Sequence, residues 1–413
     1  MRDPGSKGPS VVEFVALARL LRSLVELSHA MRRGIARTRM YPLLRPLLFA
    51  LDPARAHALA MAALAPIEHI GPLRYLLAAA LCPADPRLRV KTMGLEFPNP
   101  VGLAAGFDKN ADRARAFEAL GFGHVELGTV TAQAQAANPP PNMFRLPADR
   151  ALVNRLGFPN EGAQQVANRI AARRTGKRVP IGVSIGKSRS VPIEPLAGVL
   201  ADYLVSFRAV QPIADFVVVN VSSPNTKDLR AMQAADVARP LFEALRTEAL
   251  RAARPVPILV KIAPDLADDA IDAIVDEAKR AGLAGVIATN TTIAREGLAT
   301  PPGFVESIGG GGLSGKPLFA RALSVVKRVR ARLGDDACVI GVGGIDSAET
   351  ALAMLRVGAN LVQIYTGFVY EGPLLPRAIA SGLIRQMDAE GARSLNELVR
   401  GDPSDRAGGT ALA

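Results

Sequence analysis

From about Val101 onward, short runs of β-branched and small apolar residues alternate with longer stretches in which Ala, Leu and Arg recur at helical spacing. The runs are PVGLAA (100–105), HVELGTV (124–130), PIGVSIG (180–186), FVVVNVSS (216–223), ILVKIA (258–263), GVIATN (285–290), CVIGVGG (338–344) and LVQIYTG (361–367). Amphipathic stretches at 110–120, 160–174, 194–213, 231–253, 267–281, 316–333 and 347–357 lie between most of them. A continuous apolar run bounded by turn residues is the pattern of a strand buried on both faces, and a three-to-four-residue apolar period that of a helix lying on a sheet. Eight such strands, each followed by a helix, predict an α/β protein built on a closed parallel (β/α)8 barrel, a TIM barrel. The competitor is a doubly wound open sheet, but that usually has fewer strands, and no GxGxxG follows the first run.

Upstream the texture is helical. Residues 40–81 are rich in Ala, Leu and Met, and Asp52-Pro53 reads as a cap followed by a first helical position. This block predicts a small N-terminal helical domain over 40–85, ahead of a barrel over 86–393. Its apolar surface exceeds what one buried face requires, so two uses stay open: packing on the barrel, or a lipid-facing entry for a lipophilic substrate. Residues 11–30 predict an amphipathic helix. They belong to a basic extension, 1–39, with eight basic and three acidic side chains. Its role is unassigned; it could be a transit peptide but not a secretory signal, and Met40 could be an alternative start. No run of 18 apolar residues lacks charges, so no spanning helix is predicted. Residues 394–413, with Gly-Asp-Pro-Ser-Asp and Gly-Gly, are expected to be a disordered tail.

Composition narrows the chemistry. The 413 residues are 49% hydrophobic and 21% charged, enough for a large core. Two cysteines, Cys82 and Cys338, exclude a disulfide framework and a cysteine-rich metal centre, and point to a reducing compartment. Four histidines and no Trp leave little for a histidine zinc site, so no metal is expected. A formal charge of +12 invites a nucleic-acid reading, yet aromatic residues are only 5% and none interleave with basic runs as stacking platforms would need. No nucleic-acid partner is therefore expected; a basic surface, or attraction to an anionic ligand or lipid, accounts for the charge.

Active sites of such barrels lie at the C-terminal strand ends. All eight runs carry polar or glycine-rich residues there: Gly106-Phe107-Asp108-Lys109-Asn110, Gly128-Thr129, Ser184 with Gly186-Lys187-Ser188, Asn220 through Thr226, Lys261, Thr289 through Thr292, Gly341 through Gly344, and Tyr365-Thr366-Gly367. One Asn or Thr at a strand end is commonly a turn former or cap; eight of eight mark a shared site. The glycines after strands seven and eight fit a phosphate, which backbone N–H groups can approach only where no Cβ intervenes. Lys261 lies inside an apolar strand, where an ammonium is costly without negative charge nearby. It could form a Schiff base, making the protein a lyase or aldolase, or stabilise negative charge on a reduced flavin ring. Asn154, Asn220, Asn225 and Asn290 match a planar molecule with alternating C=O and N–H groups, which favours the flavin reading, and Lys109 would meet a carboxylate.

The runs AAGFDKN (104–110), ELGTVT (126–131), FRLP (144–147), NRLGFPN (154–160), GVSIGKS (182–188), VNVSSPNT (219–226), VKIAPD (260–265), ATNTT (288–292), GGLSGKPL (311–318), IGVGGIDS (340–347) and VQIYTGF (362–368) resemble the quinone-dependent, membrane-associated class of the dihydroorotate dehydrogenase family. The resemblance spans roughly Met40 to Met387. It implies an FMN oxidoreductase of de novo pyrimidine biosynthesis that converts dihydroorotate to orotate and passes the electrons to a membrane quinone. By motif, Ala104, Ala105, Gly106, Thr129, Ser184, Asn220, Lys261, Thr289, Gly315, Gly344, Tyr365 and Thr366 would hold FMN. Lys109, Asn154, Arg155, Leu156, Gly157, Phe158, Asn220, Asn225, Asn290 and Thr291 would hold or enclose dihydroorotate. Ser223 would be the catalytic base taking the C5 proton; the cytosolic class has a cysteine there, and neither Cys82 nor Cys338 is near that loop in sequence. His57 and Arg145 would line a quinone tunnel, with Tyr365 nearby.

The resemblance also implies peripheral contact with the lipid bilayer. The expected place is the cytoplasmic side of a bacterial inner membrane, the alternative being the mitochondrial inner membrane. A monomer is expected rather than a large oligomer. Two departures stand out: Ser184 and Ser188 replace the asparagines of the family's GVNxGKN, and Pro159 stands where the pattern often has Asn.

Overall fold

A computed structural model describes residues 40–173, 179–226 and 228–400. The expected extension 1–39 with its amphipathic helix, and the tail beyond Arg400, lie outside the described residues. The chain opens with three helices: α1 (Met40–Ala50), α2 (Pro53–His69) and α3 (Gly71–Leu81). Asp52 caps α2 as its sequence predicts, its Oδ1 accepting from the amides of Ala54 (2.9 Å) and Arg55 (3.2 Å). Strands β1 (Val90–Thr92) and β2 (Leu95–Phe97) then form a hairpin. Its two-residue turn has positive φ at both Met93 and Gly94, the mirror-image turn whose twist suits a tight hairpin.

Eight strands close the barrel: β3 (Val101–Leu103), β4 (His124–Val130), β7 (Ile181–Ile185), β8 (Phe216–Asn220), β9 (Ile258–Ile262), β10 (Gly285–Ala288), β12 (Cys338–Val342) and β13 (Leu361–Ile364). All are parallel, and each falls within one of the eight predicted runs. The outer layer is α4 (Ala114–Ala119), α5 (Ala163–Arg173), α6 (Leu196–Val210), α7 (Ala235–Leu250), α8 (Asp268–Arg280), α10 (Phe319–Leu333), α11 (Ala348–Arg356) and α13 (Leu375–Glu390). Helix α8 shows why: Ile271, Ile274, Val275 and Ala278 recur at helical spacing and are buried, with Asp268 and Asp269 in the first turn and Lys279 and Arg280 in the last, complementing the helix dipole.

The two-residue period of the strands divides them between two cores. Val217, Val219 and Val260 face the helices. Phe216, Val218, Leu259, Ile287, Ile340 and Leu361 point inward and pack with Phe97 of β2, so the hairpin plugs the barrel's N-terminal end. The remaining strands, β5 (Met143–Leu146), β6 (Ala151–Asn154) and β11 (Gly312–Gly315), make an antiparallel sheet in the order β11-β6-β5. The short helices α9 (Pro302–Ile308), α12 (Thr366–Glu371) and α14 (Leu395–Arg400) complete the chain. Helix α14 corrects the expected boundary at 393/394: Leu395 and Leu398 are buried in the main core, so residues 394–400 belong to the barrel unit rather than to a tail.

The helical segment is docked by polar contacts as well as apolar ones. The Glu68 carboxylate, 1% exposed, accepts from the Ala116 amide at 3.1 Å, and Arg113 Nε donates to Met61 O at 2.8 Å. On its other side Leu43, Leu44, Leu47, Leu51, Leu59, Ile70 and Tyr75 are exposed among the described residues. Among the described residues, no helix is long and apolar enough to cross a membrane.

Candidate active site

The strand ends, the loop after β6 and strand β11 enclose a cavity of about 1080 Å³, its open mouth included. Inward residues one layer above the apolar plug lie at its inner end, Lys261 and Gln363 lining it and Glu126 behind them. On β9, Lys261 follows Leu259; on β13, Gln363 follows Leu361; on β4, Glu126 follows His124. Lys261 Nζ lies 3.5 Å from Glu126 Oε1, and Gln363 Nε2 donates to Glu126 Oε2 at 2.7 Å. All three side chains are buried. Burial holds His124 at a pKa of about 3, so it is neutral in this column.

Above this layer the wall is built of amides and hydroxyls. Asn220 Nδ2 donates to Thr129 Oγ1 at 3.0 Å, Asn290 Nδ2 to Ser222 Oγ at 2.9 Å, and Asn225 Nδ2 to Asn154 Oδ1 at 3.1 Å. The Tyr203 hydroxyl donates to Asn220 O at 3.0 Å and so fixes the end of β8. Ser223 faces the cavity with its Oγ accepting from the Asn225 amide at 3.2 Å. Lys109 Nζ donates to Gly106 O at 2.7 Å; burial lowers its pKa to about 8 despite the opposing charge of Asp108. The Asp108 carboxyl, pushed up to about 6 by burial, accepts from the amides of Asp112 and Arg113 and so orders the loop that carries Lys109.

At the ends of β12 and β13, two glycines line the cavity. A Cβ on Gly344, whose φ is +69°, would lie 2.5 Å from Phe319 Cβ, and one on Gly367 would lie 2.2 Å from Ile345 O. No side chain fits at either place, which leaves backbone facing the cavity, as a phosphate site requires.

The dihydroorotate dehydrogenase family model matches residues 87–387. The chain belongs to the dihydroorotate dehydrogenase family. A protein of Rhodococcus opacus named dihydroorotate dehydrogenase (quinone) is 51% identical over 360 residues, covering 87% of this chain and 98% of that protein. One of Thermobifida fusca with the same name is 51% identical over 356 residues, covering 86% and 94%. The crystal structure of the Eimeria tenella DHODH in complex with ferulenol superposes with a TM-score of 0.74 at 33% identity, covering 84% of this chain and 95% of that one.

The family implies a flavin, and the cavity fits one. It pairs a buried ammonium at its inner end with side-chain-free backbone at strands β12 and β13. Gln363 also leaves its buried Oε1 without a hydrogen-bond partner among the described residues, an acceptor suited to an N–H of a bound ring.

Of the residues expected to hold FMN or dihydroorotate, all but Ser184 and Arg155 line this one cavity, as does Ser223. Ser184 is fully buried behind Thr129, with the two hydroxyl oxygens 3.0 Å apart, so the shorter serine supports the wall without reaching the space. Arg155 turns away: its guanidinium donates to Pro141 O and Ile308 O and stacks on Phe144 at 5.0 Å, clamping the loop that bears Asn154.

His57 and Arg145 lie outside the cavity, toward the helices. The His57 ring meets Phe107 at 5.1 Å, and Phe107 meets Tyr365 at 5.2 Å, an aromatic path from α2 to the cavity wall. His57 also lines a second space of about 930 Å³, mouth included, with Met61, Phe107 and Lys109. Arg145 donates to Leu51 O at 2.7 Å and stacks on Phe49 at 4.7 Å, tying β5 to the end of α1. Sequence reasoning missed Glu126 and Gln363, although each breaks an apolar strand just as Lys261 does.

Proposed function

We propose that this dihydroorotate dehydrogenase oxidises dihydroorotate to orotate with FMN as its flavin and a membrane quinone as electron acceptor, in pyrimidine biosynthesis. The observation that carries this is the convergence, in one cavity of a chain of this family, of Lys261, the four amides of Asn154, Asn220, Asn225 and Asn290, Lys109 and the Ser223 hydroxyl. A Schiff-base lyase on Lys261 is not favoured by the family.

Each group has a separate task. The asparagine amides present donors and acceptors to the alternating C=O and N–H groups of the dihydropyrimidine ring, and the Lys109 ammonium meets its carboxylate. Ser223 takes the proton from C5. A serine hydroxyl is a weak base, so it passes its own proton to water or a neighbouring hydroxyl as it accepts the new one. A bound flavin would supply the two-electron acceptor for the C6 hydride. Lys261 holds positive charge at the inner end of the cavity, where electron density rises. His57 is held near pKa 4 by burial and by the Lys109 charge, and lines the quinone side as a neutral ring. The exposed leucines of α1, Leu43, Leu44 and Leu47, give the bilayer an apolar face at the mouth of that path, with the molecule peripheral on the cytoplasmic side of an inner membrane.

Anaerobic addition of dihydroorotate to the purified protein tests this reading. The flavin absorbance bleaches, and a quinone restores it faster than fumarate does. A preparation without flavin, or one that dihydroorotate leaves oxidised, would refute it.

A further inference from the structure

We propose that Glu126, gripped by Gln363, is a positioning residue that sets the reduction potential of the bound flavin through Lys261. This rests on the flavin reading above. Phe216, Val218, Leu259 and Leu361 make the lower barrel interior apolar apart from the His124 ring, which packs on Phe97 and Phe216, and above them it turns polar. In that next layer the Lys261 ammonium, 5% exposed, has one carboxylate within reach among the described residues, Glu126 Oε1 at 3.5 Å from Nζ. Glu126 itself is fully buried. Its second oxygen is taken by Gln363 Nε2 at 2.7 Å, which fixes the amide's orientation and leaves Gln363 Oε1 toward donors other than protein. The carboxylate is thus held from two sides, on strands β9 and β13, and cannot swing toward a ligand.

Glu126 does not line the cavity, whereas Lys261 and Gln363 do. Its negative charge acts at one remove. It fixes the ammonium on the barrel axis and opposes the ammonium's field at a ring lying above it. A fixed negative charge behind the positive one weakens the stabilisation of an electron-rich ring, so the carboxylate lowers the flavin potential below the value Lys261 alone would give. The function of such an arrangement is a potential low enough to pass electrons on to an acceptor.

The test is the midpoint potential of the bound flavin, read by anaerobic dye-coupled titration of wild type and Glu126→Gln. The isosteric amide removes the charge while keeping the shape. At a fixed poise, the reduced-to-oxidised ratio of the flavin is expected to rise about tenfold or more, about 30 mV for a two-electron couple. Lys261→Met should shift it the opposite way. If Glu126→Gln does not fold, Glu126→Asp decides: the shorter side chain draws the carboxylate back from the 3.5 Å contact with Lys261 Nζ, so the ratio should shift in the same direction, by less. A reduced-to-oxidised ratio within twofold of wild type in the folded variant, whatever its melting temperature, overturns the inference and leaves Glu126 as packing. A wild-type protein without flavin removes the flavin reading itself, whereas a yellow protein indifferent to Glu126 removes this inference alone.

Discussion

Replacing Ser223 by alanine separates chemistry from folding more cleanly than any other change at the site. The hydroxyl accepts one hydrogen bond, from the Asn225 amide, and is 5% exposed. Its loss leaves that amide without its partner, a cost of about 1 kcal/mol against a stability of about 5–15 kcal/mol, so the variant stays folded and keeps its flavin. The asparagine pairs Asn154–Asn225 and Asn220–Thr129 do not involve the Ser223 hydroxyl and remain. A positioned base contributes about 10²–10⁴-fold, or roughly 3–5 kcal/mol of barrier at about 1.36 kcal/mol per decade. Stopped-flow bleaching of the flavin by dihydroorotate should slow by that factor, while reoxidation of a chemically reduced enzyme by quinone proceeds at the wild-type rate. Bleaching at an unchanged rate would show that the C5 proton leaves by another group.

Three further outcomes follow from other parts of the molecule. Lys109, with a pKa lowered to about 8 by burial, is an ammonium below that pH and a neutral amine above it, so kcat/KM for dihydroorotate should fall about tenfold per unit above pH 8; a profile flat to pH 10 would exclude it as the carboxylate anchor. Leu43 and Leu47, 77% and 70% exposed, should each lose about 1 kcal/mol of membrane transfer on replacement by serine, so the double variant should bind anionic phospholipid vesicles roughly 30-fold less in a sedimentation assay, yet reduce a water-soluble quinone normally; unchanged sedimentation would place the lipid contact elsewhere. Phe107→Leu, which interrupts the His57–Phe107–Tyr365 path, should slow quinone reoxidation more than flavin reduction; equal slowing would mean that Phe107 serves only the core.

Why the barrel was legible and its trimmings were not has a physical reason. A strand covered on both faces must be apolar throughout, so eight uninterrupted runs such as 216–223 and 258–263 announce themselves, and the polar residues ending them point to a single mouth. Strands β5, β6 and β11 are only four residues long and antiparallel; in MFRLPADRALVN the Pro-Ala-Asp-Arg turn alone separates β5 from β6, β11 follows far along the chain, and the three were legible as motifs rather than as a sheet. Side-chain direction was the second gap. Ser184 and Arg155 sit in the right segments, but a serine is too short to pass Thr129, and the arginine is taken up by the carbonyls of Pro141 and Ile308. Glu126 and Gln363 carried the same signal as Lys261, a polar residue at an inward position of a buried strand, and only the pairing across the barrel shows that the three form one unit.

That pairing, and the amide pairs above it, explain how so polar a cavity is tolerated in the middle of a hydrophobic core. An unpaired buried amide costs about 1–3 kcal/mol, yet here Asn154 faces Asn225, Asn220 faces Thr129, and Asn290 faces Ser222. Each amide donor already has an oxygen acceptor, as the C=O of a planar ring would also be. Binding therefore exchanges one polar contact for another instead of stripping water from a bare donor, and the wall needs little reorganisation to receive its ligand. The arrangement predicts discrimination by loss rather than by gain: an analogue lacking a ring N–H or C=O leaves an Asn that has given up its protein partner with nothing in return, a penalty of about 1–3 kcal/mol, or roughly 5–150-fold in affinity. Binding of such analogues to Asn225→Ala, read by quenching of the flavin, should recover much of that difference, because the orphaned group is then gone. If the discrimination survives the substitution intact, the asparagine pair is scaffolding for the loop and the recognition lies with other groups.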